Sequence, residues 1–108
     1  MASLDFVELF LTCGSRQEAE KIAGVLLEKR LVVCVKFIPI ESKFWWKGKI
    51  KTNQEILLLM ESVAENFEQT EAEVAKLHSY DTFVLKQLDI TNLSVKALNW
   101  LAEATKQR

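Results

Sequence analysis

The sequence predicts an α+β fold in which a split βαββαβ unit is followed by one more helix. Three observations carry this. The stretch from Leu31 to Met60, LVVCVKFIPIESKFWWKGKIKTNQEILLLM, reads as one long β-hairpin. An amphipathic helical stripe lies on either side of it, and an apolar strand pattern opens the chain. The incoming arm of the hairpin is rich in β-branched and aromatic residues. Its turn is Lys47-Gly48, where glycine supplies the positive φ of a tight turn. The outgoing arm ends in the apolar run Ile56-Leu57-Leu58-Leu59-Met60.

Each element follows in order. Leu4 to Thr12 reads as a strand, and a central one, since Phe6 to Leu11 is apolar apart from Glu8. Ser15-Arg16-Gln17-Glu18 is a capping-box sequence, with Ser15 as cap and Glu18 reaching back. Apolar residues then recur at Ala19, Ile22, Ala23, Leu26 and Leu27, which predicts a helix to about Lys29. In the hairpin, a two-residue turn sets Trp45 opposite Ile50 and Phe44 opposite Lys51. Pro39 cannot donate to a ladder and is expected at a bulge or bend. Ser62 and Asn66 are competing starts for a second helix with Phe67, Val74 and Leu77 inward, Thr70 and Ala75 at the margins, and an end near His78. Thr82 to Ile90 reads as the fourth strand. Thr91 or Asn92 is expected to cap a last helix whose inner face is Val95, Leu98, Leu101 and Ala102. The order is the ferredoxin-like arrangement, with helices on one face of an antiparallel sheet, in a single domain spanning 1–108.

The hairpin arms are long for the molecule. Roughly 14 residues at about 3.3 Å each make an arm of about 45 Å, whereas a folded chain of this length has a radius of gyration of about 13 Å. The tip, with Phe44, Trp45 and Trp46, is therefore expected to project beyond the core. Strand alternation places Trp45 and Trp46 on opposite faces. An exposed aromatic patch of this kind marks an interface, so a neighbouring chain is expected to cover it.

Composition narrows the function. Of 108 residues 49% are apolar and 27% charged, with a net charge of −1 and both signs interspersed, which gives no reason to expect nucleic acid or an anionic membrane as partner. No apolar run reaches the roughly 18 residues of a membrane-spanning helix. The N-terminus lacks a basic region before its apolar residues, so it reads as a strand and not a leader. Cys13 and Cys34 read as free thiols of a reducing compartment, which predicts a cytoplasmic protein. An RNA-recognition module needs aromatics on its inner strands, and Lys47-Gly48 is followed instead by Lys49-Ile50-Lys51. No nucleophile–base pair is visible, so no enzyme is expected.

The segment from Leu26 to Val35, then Ile38-Pro39, then Ser42-x-Phe44-x-Trp46-x-Gly48-Lys49-Ile50 resembles the CutA divalent-cation tolerance family. Glu55-x-x-Leu58, His78-x-Tyr80 and Leu98-x-Trp100-Leu101 continue the likeness across nearly the whole chain. The resemblance implies a homotrimer whose sheets pack around an axis, with the hairpin reaching a neighbour through Pro39, Phe44, Trp45 and Trp46. It implies a role in tolerance of copper or another divalent cation and no known reaction; in animals such proteins are linked to assembly of a membrane-anchored esterase. It also resembles PII-type trimers, which bind small effectors between subunits. The sequence departs from the family where His-Pro-Tyr-x-x-Pro becomes His78-Ser79-Tyr80-Asp81-Thr82-Phe83, where a lysine becomes Glu61, and where a tyrosine becomes Phe44.

The candidate ligands are few. His78, the only histidine, sits where a helix C-terminus favours a capping or cationic side chain. With Cys34 and Cys13 it supplies the donor types that Cu(II) or zinc accepts, although no Cys-x-x-Cys spacing exists. Glu55 and Glu61 interrupt an apolar strand and need partners; with Tyr80 and Lys49 they are the candidates for a ligand cleft. The alternatives to a copper-responsive trimer are a PII-like module for an anionic metabolite and a ligand-free assembly scaffold.

Overall fold

Alternation along the first strand decides the layering. Val7, Leu9, Leu11 and Cys13 are fully buried, while the residues between them are only partly covered. One face of the strand therefore meets a closed core and the other meets a less complete surface. The computed structural model describes residues 5–106, so Leu4 of the expected strand lies outside the described residues. Its elements run β1 (Phe6–Cys13), α1 (Arg16–Glu28), β2 (Cys34–Trp46), β3 (Lys49–Val63), a single 3₁₀ turn (Ala64–Asn66), α2 (Phe67–Leu77), β4 (Leu85–Asp89) and α3 (Val95–Ala104). The sheet order is β2-β3-β1-β4, with every neighbouring pair antiparallel. This is the ferredoxin-like βαββαβ fold with an added C-terminal helix.

The core lies between the sheet and the helices. Val7, Leu9 and Leu11 of β1 and Leu58 and Met60 of β3 pack with Ala19, Ile22 and Leu26 of α1 and Val74 of α2. The opposite face carries Glu8 and Phe10 of β1, Leu57, Leu59 and Glu61 of β3, and Lys36 and Ile38 of β2 by register. Among the described residues no helix has more than marginal contact with β4 or lies over that face, whose residues stay only partly covered. Helix α3 contributes Leu101 to the interior, while Val95, expected inside, is 74% exposed at the first helical position.

Local chemistry explains the boundaries. Ser15 Oγ accepts the Glu18 amide at 3.1 Å, but Glu18 reaches back to the Gly14 amide (3.2 Å) and not to that of Ser15. At the other end of α1 the Arg30 amide meets the Leu27 carbonyl and the Leu31 amide the Leu26 carbonyl, a Schellman closure. Arg30 occupies its left-handed position at φ 58°, where glycine is usual. Of the two starts expected for α2, Asn66 is adopted, without a side-chain cap bond. Ser62 stays in β3 and donates to the Leu31 carbonyl at 2.6 Å. Helix α3 starts after Ser94 and not at Thr91 or Asn92. Strand β4 begins at Leu85, because Phe83 is drawn away to stack on His78.

The hairpin matches its expected register, with Trp45 opposite Ile50 and Phe44 opposite Lys51. Lys47 and Gly48 both take positive φ, 50° and 76°, the requirement of a type I′ turn. The expected bulge at Pro39 is absent: pairing runs unbroken from Cys34↔Glu61 to Trp46↔Lys49. Strand β2 is the sheet edge, where a missing N–H need not cost a ladder bond. The molecule measures 49 × 26 × 21 Å with a radius of gyration of 14.7 Å, so the hairpin does overhang the core.

Among the described residues one buried side-chain polar atom has no partner: Thr70 Oγ1, on a fully buried side chain of α2. A hydroxyl removed from water without a hydrogen bond is destabilising. Thr70→Val, which keeps the shape, is expected to raise the free energy of unfolding by about 1–2 kcal/mol in urea titration. A less stable variant would show that the hydroxyl is satisfied.

Candidate functional site

The corner between α2 and β4 gathers the polar groups. His78 follows the last turn of α2, its side chain wholly buried. Its Nδ1 accepts the Tyr80 amide at 3.0 Å. An N–H can only donate, so Nδ1 carries no proton and Nε2–H donates to the Thr12 carbonyl at 2.8 Å. The ring is thereby a neutral imidazole locked between two backbone groups. It contacts the rings of Tyr80 (centroids 4.8 Å apart) and Phe83 (5.4 Å). Glu18, from the first turn of α1, accepts the Gly14 amide with one oxygen and the Ser79 amide (2.9 Å) with the other. Burial pushes its carboxyl up, but the bonds from Ser79 and Gly14 outweigh this and hold it below the ordinary carboxylate value.

This corner brings Cys13, Glu18 and His78 together, with potential ligand atoms within 4.8 Å of one another. Of the expected trio it unites Cys13 and His78 but not Cys34, which pairs with Glu61 while Cys13 pairs with Ile56, five residues along β3. Glu18 takes the third place. It was visible in sequence as a capping residue; its reach to Ser79 depends on the fold. The donor set does not fit a metal as it stands. Both imidazole nitrogens and both carboxylate oxygens already hold backbone groups. Burial, then the charges of Glu18 and Glu55, pushes the Cys13 thiol up to about 12, so the thiolate that a metal needs is disfavoured.

Tyr80 turns the other way, onto the open face of the sheet. Its hydroxyl donates to Glu55 Oε2 at 2.8 Å. Burial, followed by that carboxylate, pushes the phenol up to about 12, so it stays a donor. Gly14 makes room for it: a Cβ there would lie 3.1 Å from the hydroxyl oxygen. Glu55 and Tyr80 border a cleft of about 570 Å³ between the outer half of the hairpin and the 80–86 segment, with Phe10, Phe44, Trp46 and Lys86 in its walls. Trp45 borders it too, although alternation sets it opposite Trp46; two-stranded ribbons twist strongly. The expected cleft residues Lys49 and Glu61 are elsewhere, Lys49 beside the hairpin turn and Glu61 at the far end of the hairpin.

Glu61 belongs to a second cluster on the open face. It lies directly across from Glu8 on β1 and accepts Lys36 Nζ at 3.1 Å. Lys36 also reaches Cys34 Sγ at 3.5 Å. Burial, a hydrogen bond with Glu61 and that neighbour's charge push the Glu8 carboxyl up to about 7, against an opposing pull from Lys36. Glu8 thus holds its proton well above the ordinary carboxylate range. Among the expected contact residues, Trp45 is 72% exposed, Trp46 and Pro39 are exposed, and Phe44 is half-buried.

The profile described as CutA1 divalent ion tolerance protein matches residues 7–104. The chain belongs to this CutA family. A divalent-cation tolerance protein CutA from Archaeoglobus fulgidus is 37% identical over 98 residues, covering 91% of this chain and 96% of that protein. One from Thermotoga maritima is 32% identical over 96 residues, covering 89% and 95%. Among solved structures, the A. fulgidus protein, described as periplasmic, gives a TM-score of 0.91 at 36% identity, covering 94% of this chain and 99% of that one. CutA1 from Oryza sativa gives 0.93 at 27% identity, covering 98% of each.

Three residues singled out in the sequence acquire physical content here. Ser79 supplies the N–H that Glu18 accepts. Phe83 stacks on His78. Glu61 answers Lys36 across the hairpin and, after burial, helps to push the Glu8 carboxyl up.

The Glu8 shift carries a pH dependence. A carboxyl whose folded pKa is raised gives stability that is complete below its ordinary 4.5 and is lost as pH rises through about 7. Glu8→Gln is expected to flatten the fall in melting temperature between pH 5 and pH 8, followed by thermal denaturation. An unchanged pH profile would assign the slope to other groups.

Proposed function

We propose that this chain serves divalent-cation tolerance as a non-catalytic homotrimer that responds to a ligand in the cleft beside Glu55 and Tyr80, working in the cytoplasm with its two thiols free. The observation that supports it is the open face of the sheet. Phe10, Leu57, Leu59 and Ile38 lie there with no helix above them, and Trp45 stands out on a hairpin that overhangs the core. Apolar surface on this scale favours association, and the family resemblance supplies three as the number of copies. A catalytic reading finds little support: His78 has both nitrogens engaged, and the Cys13 thiol is buried and held protonated.

A divalent cation is the effector that the family description suggests, and the resemblance adds Cu(II), but a resident ion at Cys13, Glu18 and His78 would have to break backbone hydrogen bonds. An anionic metabolite gains support from Lys86 on the cleft wall and is opposed by Glu55. A ligand-free scaffold leaves the buried Glu55 unexplained.

Sedimentation equilibrium is expected to return three times the mass of the chain, and a monomer mass would sink the reading. Trp46→Ala should lower the melting temperature of that assembly: the ring is exposed in the single chain, a neighbouring copy would bury it, and truncating a buried tryptophan typically costs about 3–5 kcal/mol. Calorimetric titration of Cu(II) should show no stoichiometric site that disappears with Cys13→Ser; such a site would restore the three-donor centre.

A further inference from the structure

Glu55 stands on the open face of β3 and is only 7% exposed before any neighbour covers it. One of its oxygens, Oε2, accepts the Tyr80 hydroxyl. Among the described residues no lysine, arginine or histidine lies within ion-pair distance of it. Withdrawing a carboxylate from water is costly unless a cation meets it. The chain's own open-face lysines stand in the wrong places for that. Lys36 is held by Glu61 at the far end of the hairpin. Lys86 lines the cleft, but it is level with Phe10 and Leu59, on the far side of β1 and about 13 Å along the sheet from Glu55. Lys49 and Lys51 share a strand with Glu55 and lie about 20 Å and about 13 Å from it. Thr12, Ser42 and Thr82 bring hydroxyls to the wall but no charge. The cation has to come from another molecule.

The hairpin that overhangs the core offers one. Lys49 and Lys51 are exposed, and among the described residues neither takes part in an ion pair. Both share the face of Glu55, opposite Trp46 and Phe44 in the register. The other lysines of the tip are engaged elsewhere. Lys47, in the turn, lies over its own Trp46 ring at 5.8 Å, and Lys43, on the other face, donates to Thr52 at 3.2 Å. Lys49 is the outermost lysine of the open face, so it reaches deepest into a neighbour.

We infer that Glu55 is the docking point for the hairpin of a second copy of this chain, with Lys49 of the neighbour as its counter-charge, so that the cleft is complete only between two copies. The inference rests on the assembly proposed above and names the polar contact that sets its register. Tip and cleft are different patches of one chain. Their contact is therefore head-to-tail, and it closes into a ring when the rotation between copies allows. The lysine stem can lie along the rings of Phe10, Phe44 and Trp46 while its ammonium takes the Glu55 oxygen that Tyr80 leaves free. Leucines and phenylalanines on the open face attract without direction. A single buried charge pair among them rejects the docking positions that would leave Glu55 unanswered.

The test is a double-mutant cycle on association of the full chain, read by sedimentation equilibrium across a dilution series. Glu55→Gln keeps an acceptor for the Tyr80 hydroxyl, and Lys49→Gln alters an exposed side chain of the single chain. Each is expected to weaken association at least tenfold. The double variant should be no weaker than the worse single, because the contact is already gone. Lys51→Gln with Glu55→Gln should show no such coupling. A zero-length carbodiimide should join Lys49 to Glu55 between chains, seen as one linked peptide of mixed isotope content when labelled and unlabelled copies assemble together. Additive losses in the cycle overturn the inference, as does a trimer indifferent to Glu55→Gln or a coupling that falls on Lys51. Should Glu55→Gln fail to fold, Lys49→Gln decides, and unchanged association without the linked peptide overturns the inference. A monomer mass for the unaltered chain removes the trimer reading and this inference together. A trimer without the Lys49–Glu55 coupling removes this inference alone.

Discussion

His78 holds the corner on which the cleft depends. By donating to the Thr12 carbonyl and accepting the Tyr80 amide, it ties the end of α2 to the end of β1 and sets the direction of the chain between them. Tyr80 is thereby aimed at Glu55, and Ser79 at Glu18. The bonds are short and directional, and two of their partners are backbone groups that mutation cannot remove. A histidine used in this way is spent: the lone pair that would bind a metal or take a proton from a substrate already has an occupant. The same constraint that builds the cleft therefore closes the most obvious metal site beside it.

The sheet divides the molecule into two regimes. On the helical face, hydrocarbon packs against hydrocarbon and stability follows burial. On the open face, leucines and phenylalanines share space with Glu8, Glu61 and Lys36. Two carboxylates and one ammonium cannot all be ionised there without excess negative charge, and a held proton resolves it. Covering this face with another chain would strengthen every one of these interactions by excluding water, and association of that kind would be coupled to proton uptake through the same few side chains.

Much of this was legible in the sequence, because it rests on period and turn chemistry. The hairpin register followed from two residues, Lys47 and Gly48, and the inner stripe of α1 followed from spacing alone. The C-terminal helix was harder. Val95 fits the helical period yet points to solvent, because the period gives a stripe but not where along the helix packing begins. Pro39 was misjudged for a related reason: its cost depends on whether the strand lies at an edge, which is a property of sheet order. The site was the least legible part. Cys34 and Cys13 look equivalent in sequence, and register places them at separate points along β3. Glu18 reaches Ser79 only because the chain returns to it after sixty residues of intervening structure.

The outer half of the hairpin stands apart from the rest of the sheet. Strand β1 pairs with β3 from Ile56 to Val63, so residues 49–55 have β2 on one side and no strand on the other among the described residues. The outward amides and carbonyls of that stretch form a ready template for a strand from another molecule. Lys49 and Lys51 stand along it as the charges that deter casual pairing. Uncontrolled growth into stacked ribbons is a hazard of such an edge, and a closed ring of chains is one geometry that would consume it.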